Sequence, residues 1–432
     1  MQAIEYPQFG ETLYTETLAN GLKVNLLSRP DFHRTYGVIT ANYGSNDTTF
    51  VPVGQSDYQT VPAGIAHFLE HKLFEKEDYD AFEIFGKYGA DSNAFTSFTR
   101  TSYLFSATRN VNECVCQLLD FVQDPYFTEE TVVKEKGIIG QEIKMYDDDP
   151  GWRLFFGILG NLYPNQSLSV DIAGSVDSIA QITPADLYTC YQTFYQPGNM
   201  NLFIVGNFEV EAMLDLIKQN QAQKTFPAAS QPQVAGMTND AEVLPYRMLE
   251  LDVNQPKVMV GIKGIDTVPQ GREALRYRLQ VEMLLHLLYS ENSAMYTELY
   301  DREILDDSFG YNFQLERGFH LATINGGSYY PNELADEIIK TAKNALEILD
   351  HQGQEFDLAK REFIGHYLQA LNSLESIANS YEGDLYDSAT LLDYIPIIEA
   401  MTLDDVKQVA QSFLGPEVFS VFQVLPKGGQ EG

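Results

Sequence analysis

Two stretches of this chain, 219 residues apart, spell the same local pattern. Thr183, Asp186, Gln192 and Phe194 in the first recur as Thr402, Asp405, Gln411 and Phe413 in the second. Each copy runs from a helix-like segment into an apolar strand, Asn201–Val205 in one and Phe419–Val424 in the other. Self-similarity at this distance implies two related domains rather than one large core, and 432 residues are enough for both. Between the copies, Gln221–Glu242 is rich in Gln, Pro, Ala, Ser and Thr and lacks apolar periodicity. The expected organisation is two similar α+β domains, 1–225 and 243–432, joined by a linker over 226–242.

Strand-like and helix-like segments alternate along the chain. Leu22–Ser28 and Tyr36–Tyr43 read as strands, 64–74 and Asp78–Tyr88 as helices, and Ser92–Thr96 with Thr101–Ala107 as paired strands. Helices are expected over Val111–Gln123 and Thr128–Tyr146. Thr128 would cap the latter, Glu129 and Glu130 would suit its first turn, and Asp149-Pro150-Gly151 would break it.

One helix carries chemistry. His67-Phe68-Leu69-Glu70-His71 sets two imidazoles one turn apart, about 40° around the axis from each other, with the Glu70 carboxylate about 60° to the other side of His67. Two metal ligands and a general base need to share a face in this way, and the pattern is the reversed form of the zinc-protease helix motif. The bland alternative is an amphipathic helix whose histidines happen to stack. The repeat weighs against it: 219 residues on stands His286-Leu287-Leu288-Tyr289-Ser290, which keeps the apolar spacing and loses Glu70 and His71. Packing alone needs no such triad.

Zinc held by two histidines needs a third protein ligand and an open corner. Glu135 and Glu142 are seven residues apart, hence on one helical face. Glu142 stands between Ile139 and Ile143, where a buried carboxylate is costly unless a cation compensates it. In the second copy Tyr367 takes its place, 225 residues on. Glu142 is the favoured third ligand, with Glu135 the alternative.

The formal charge of −33 disfavours nucleic acid and anionic membranes as partners. The N-terminal residues Met1–Pro7 lack the pattern of a signal peptide, and no apolar run is long enough to span a bilayer. Three cysteines, Cys114, Cys116 and Cys190, form no disulfide framework. These features point to a cytoplasmic protein without membrane insertion.

On Gly64–His71 followed by Phe74, on Glu135 and Glu142, and on Ser92-Asn93-Ala94-Phe95-Thr96, the chain resembles the inverted zinc metallopeptidases of the pitrilysin, insulysin and mitochondrial processing peptidase family. It is closest to the bacterial two-domain YmfH-like subgroup. The resemblance implies a LuxS/mitochondrial-processing-peptidase-like metallohydrolase fold of two homologous α+β domains, each a mostly antiparallel sheet packed with helices, with a zinc-binding catalytic domain and a metal-free domain completing a substrate chamber. It implies Zn²⁺ bound by His67, His71 and Glu142, Glu70 as the proton-transferring catalytic residue, and Glu135 supporting a ligand histidine. Asn93, Ala94 and Phe95 would align an extended peptide by strand addition. A substrate-gripping Arg and Tyr are expected in the second domain. Tyr311 fits the Tyr, whereas Arg302 sits two positions late and Tyr300 stands where the Arg is expected.

The expected function is a zinc-dependent metalloendopeptidase, cleaving peptides or small unfolded proteins inside a clamshell of two chains. The partner would be a second copy or a zinc-less paralogue. Two alternatives stand beside it: a zinc-containing peptide-binding or processing-complex subunit with little activity alone, and a metal hydrolase of non-peptide substrates.

Overall fold

Thr183 and Thr402 cap their helices by the same reciprocal bonds. Each threonine hydroxyl accepts from the backbone of the aspartate three residues on, and that aspartate's carboxylate accepts from the threonine amide. The computed structural model describes residues 1–226, 231–238 and 240–428.

Along the first half the strands are β1 (Gln2–Tyr6), β2 (Glu11–Thr17), β3 (Lys23–Ser28), β4 (Thr35–Ala41), β5 (Thr49–Val51), β6 (Gln59–Thr60), β7 (Ala90–Thr96), β8 (Thr101–Ala107), β9 (Met200–Gly206) and β10 (Gln233–Val234). The helices are α1 (Ile65–Phe74), α2 (Ala81–Tyr88), α3 (Val111–Val122), α4 (Glu129–Asp147), α5 (Pro150–Leu162), α6 (Val176–Ala180), α7 (Pro184–Phe194) and α8 (Val210–Ala222). The second half has β11 (Tyr246–Leu251), β12 (Lys257–Lys263), β13 (Gly310–Glu316), β14 (Phe319–Gly327) and β15 (Phe419–Pro426). Its helices are α9 (Arg272–Tyr289), α10 (Ala294–Asp301), α11 (Pro331–Lys343), α12 (Ala345–Leu349), α13 (Gly353–Ala370), α14 (Leu374–Asn379), α15 (Tyr394–Ala400) and α16 (Leu403–Phe413).

The sheets show the duplication most directly. Strands β3-β9-β4-β8-β7 lie side by side in the first sheet, and β11-β15-β12-β14-β13 repeat that order in the second. Each set has one parallel pair, β3/β9 or β11/β15, followed by three antiparallel pairs. Strands β2 and β1 extend the first sheet beyond β3, and β10-β5-β6 form a small separate sheet. The fold is two homologous α+β parts, each built on a mostly antiparallel sheet.

By internal contacts the chain forms two compact units. The first comprises Met1–Ile143, Asp171–Ala235 and Leu371–Tyr381; the second comprises Lys144–Val170, Gly236–Ala370 and the chain from Glu382 onward. The repeat divides the sequence contiguously, whereas the units trade segments: α5 of the first half belongs to the second unit, and α14 of the second half to the first. Of the linker expected over 226–242, residues 227–230 and 239 lie outside the described residues. Gln233 and Val234 form β10, paired with β5.

In the first unit β4 is buried at every position, so both faces of the sheet centre are covered. Ile39, Leu202, Ile204, Tyr103 and Phe105 join Phe68, Leu69, Leu118 and Phe194 in a core on one face. The returning segment around α14 covers the other: the Tyr381 ring lies 5.3 Å from Phe203, and Tyr36 Oη donates to Asn379 Oδ1 at 3.2 Å. In the second unit α5 packs on β12 and β15. The Phe422 ring lies over Gly157 so closely that a Cβ there would stand 2.4 Å from it. No helix among the described residues is long and apolar enough to cross a membrane.

Candidate metal centre

Helix α1 begins where only glycine fits. Gly64 has φ 89°, and a Cβ on it would stand 2.3 Å from the Ala173 carbonyl oxygen. Ile65, Ala66, Phe68, Leu69 and Leu73 are all buried in the core. Their packing fixes the rotation of α1 and leaves His67 and His71 together on its other flank, with ring centroids 4.5 Å apart.

Helix α4 supplies the carboxylates. Glu142 Oε1 lies 3.7 Å from His67 Nε2, and Glu142 Oε2 lies 3.7 Å from His71 Nε2. One donor atom from each of the three residues falls within 4.8 Å of the other two. A tetrahedral zinc ion with bonds of about 2.0–2.1 Å holds its donors roughly 3.3 Å apart. The two Glu142–histidine contacts, at 3.7 Å, lie within a few tenths of an ångström of that spacing, so this donor set fits such an ion. Glu135 Oε1 sits 3.0 Å from His71 Nδ1, which commits that nitrogen and leaves Nε2 facing Glu142. His67 Nδ1 is buried without a hydrogen-bond partner among the described residues.

Electrostatics favour a neutral His67. Burial, helped by the charge of His71, lowers its pKa to about 3, against a smaller upward pull from Glu135. Burial also pulls His71 down, but the Glu135 bond and the charges of Glu70, Glu135 and Glu142 outweigh it and raise its pKa. Glu70 is raised, chiefly by burial, against the hydrogen bond from Thr96. Its carboxylate Oε2 accepts from Thr96 Oγ1 at 2.5 Å.

Glu142 is less deeply set than its apolar neighbours suggested. Its side chain is 23% exposed, while that of Glu135 is 11% exposed. Ile139 and Ile143 point into the core, and the helical rotation between them and Glu142 turns the carboxylate to the rim.

Beside the two histidines opens a cleft of about 540 Å³ lined by Glu70, His71, Glu135, Phe74, Tyr79, Phe82, Ile138, Asn93 and Ala94. Strand β7 is an edge of its sheet, so it borders this cleft with one side of its backbone unpaired to any described strand. Asn93 and Ala94 thus reach the cleft. Phe95 does not line it and lies under the Arg100 guanidinium, 5.8 Å from the ring centroid.

The Arg and Tyr expected in the second domain are not gathered into one site. Tyr311, on β13, bonds His286 Nδ1 at 3.0 Å and lines a separate cavity of about 500 Å³. Arg302 caps α10, outside that lining, with its guanidinium paired to Glu298 and Glu333. His286, the counterpart of His67, is buried. Sequence reasoning assigned no role to Thr96. Strand alternation from Ala94 would have placed it on the same face, but nothing local predicts that it meets Glu70, 26 residues earlier.

A family model described as Insulinase (Peptidase family M16) matches residues 48–175, and one described as Peptidase M16 inactive domain matches 181–363. The uncharacterized zinc protease YmfH of Bacillus subtilis (strain 168) is 45% identical over 430 residues, 99% of this chain and 100% of its own. The crystal structure of an M16-like peptidase from Alicyclobacillus acidocaldarius superposes with a TM-score of 0.90 at 33% identity, covering 99% of this chain and 100% of that one. The periplasmic protease PqqL from Escherichia coli shares the fold, with a TM-score of 0.74 at 18% identity. The match covers 98% of this chain but 48% of PqqL.

Proposed function

That this chain belongs to the M16 (insulinase) peptidase family, alongside YmfH, is the premise from which we propose a zinc-dependent metalloendopeptidase. Zinc is the cofactor, and the residues that would hold it are His67, His71 and Glu142. Zinc supplies Lewis acidity there, polarising a carbonyl and lowering the pKa of water. Glu70 takes a proton from the attacking water and returns it to the leaving amine. Glu135 holds His71 in the tautomer that offers Nε2. Extended peptides add to the β7 edge, so that Asn93, Ala94 and Phe95 align the backbone with little demand on sequence.

The convergence of three donors from two helices, with Glu70 at their side, carries this reading. The decisive test is Glu70→Gln, which keeps one zinc per chain and abolishes cleavage of a quenched peptide. Unimpaired cleavage by that variant would overturn the assignment. Phosphoester and acyl-ester substrates, run beside the peptide, separate a peptidase from a hydrolase of another class.

The working form is a pair of chains enclosing the peptide, with a second copy or a zinc-less paralogue as partner. Support comes from PqqL, whose single chain is about twice as long as the part matched here. Tyr311 is the proposed substrate-gripping tyrosine, but Arg302 would join it only by leaving Glu298 and Glu333. That saturated arginine favours the second reading, a zinc-containing peptide-binding subunit with little activity alone. The three cysteines are free thiols, in keeping with a reducing cytoplasm.

A further inference from the structure

We propose, on the reading that Glu70 is the proton-transferring base, that Thr96 is its positioning residue and couples that base to the strand that takes the peptide. Thr96 is the last residue of β7, and its Oγ1 donates to Glu70 Oε2 at 2.5 Å. Glu70 is 8% exposed, and among the described residues this is the hydrogen bond its carboxylate has. A buried carboxylate with one hydroxyl on one oxygen is held at two points: by its own helix, and by a neighbouring strand. Oε2 is thereby occupied, and Oε1 is left as the oxygen that receives the proton from water and later gives it to the amine nitrogen.

The far end of this arrangement is anchored. Thr96 pairs with Thr101 across the β7/β8 ladder, and Thr101 Oγ1 donates to the Tyr43 carbonyl at 2.8 Å in the buried core. Two residues earlier on the same face of β7, Ala94 lines the cleft with Glu70. A peptide pairing along β7 therefore settles the strand that carries the threonine, and substrate binding and base alignment share one piece of backbone. A threonine kept only for packing would fill the same space through its methyl group and need no hydroxyl there.

Thr96→Val and Thr96→Ser separate these roles. Valine keeps the shape and loses the donor; serine keeps the donor. Thr96→Val is expected to lower kcat by about 10- to 100-fold, with KM changed by less than about twofold and one zinc retained, and Thr96→Ser to restore kcat to within a few-fold of wild type. In crystals of the valine variant Glu70 should leave its wild-type rotamer. A kcat within about twofold of wild type for Thr96→Val would overturn the proposal. So would an equal loss in Thr96→Ser, or an unmoved Glu70. If the wild-type protein cleaves no peptide, the peptidase reading falls by itself, and the Glu70 conformation in wild-type and valine crystals still decides the part played by Thr96.

Discussion

His71 and Glu135 are joined through the imidazole nitrogen that faces away from Glu142. The 3.0 Å contact at Nδ1 makes Glu135 a hydrogen-bond acceptor for the ring and turns the Nε2 lone pair toward the place where three donors meet. The two carboxylates of α4, seven residues apart, therefore face different nitrogens of His71, and substituting each by its amide tests the different tasks proposed for them.

Glu142→Gln removes the proposed third ligand and is expected to leave far less than one zinc per chain after dialysis, as read by atomic absorption. Glu135→Gln weakens only the support of His71 and should reduce zinc affinity by about 10- to 100-fold in a chelator competition. Full retention of metal by Glu142→Gln, with loss in Glu135→Gln, would exchange their roles.

The matched caps give a symmetrical test of the duplication. Thr183→Ala and Thr402→Ala each remove one hydroxyl that accepts from a helix amide, and each is expected to cost about 1 kcal/mol in denaturant unfolding. Zinc content should stay at one per chain in both variants.

Gly157→Ala places a methyl group where the Phe422 ring already lies. The ring has to move, at an expected cost of about 1–3 kcal/mol, read as a lower denaturation midpoint at unchanged m-value. An unchanged midpoint would mean that the α5 packing is looser than described.

Asp266 supplies a pH signature in the second unit. It lies 2.7 Å from His320 Nε2 and accepts from Tyr277 Oη at 2.8 Å. Burial alone would raise its pKa, but His320 and Tyr277 outweigh it and hold it below the usual aspartate value. A carboxyl group with a depressed folded-state pKa contributes stability above its unfolded pKa, and that contribution fades as pH falls through the folded value. Asp266→Asn should therefore cost about 1–3 kcal/mol near neutral pH, and the gap from wild type should close as pH falls below about 4. A gap that stays constant down to pH 2 would remove Asp266 from the account of acid stability.

What the sequence revealed was what local periodicity encodes. The spacing in His67–His71, the seven-residue interval from Glu135 to Glu142, and the Thr-x-x-Asp pairs each concern residues one or two helical turns apart, and all reappear in the structure. The traded segments 144–170 and 371–381 could not be read in this way, because which sheet a helix covers is decided by side chains hundreds of residues away, such as Phe422 for α5 and Phe203 for Tyr381. The depth of Glu142 was overestimated because neighbours in sequence were taken as neighbours in the core, which a 100° step around a helix does not permit. Arg302 was chosen for standing two positions from where the resemblance expects an arginine, and its carboxylate partners lie partly on α11, beyond the reach of any local pattern.

The trade of segments between the units governs how such a polypeptide is made. While the chain leaves the ribosome, the sheet bearing the zinc helix lacks its backing helix until Leu374–Asn379 has been synthesised, and the other sheet waits still longer for Phe419–Pro426, the strand between β11 and β12. A gene cut between its two repeats yields fragments that are each missing a piece of wall, so the duplicated halves have become mutually dependent for their birth.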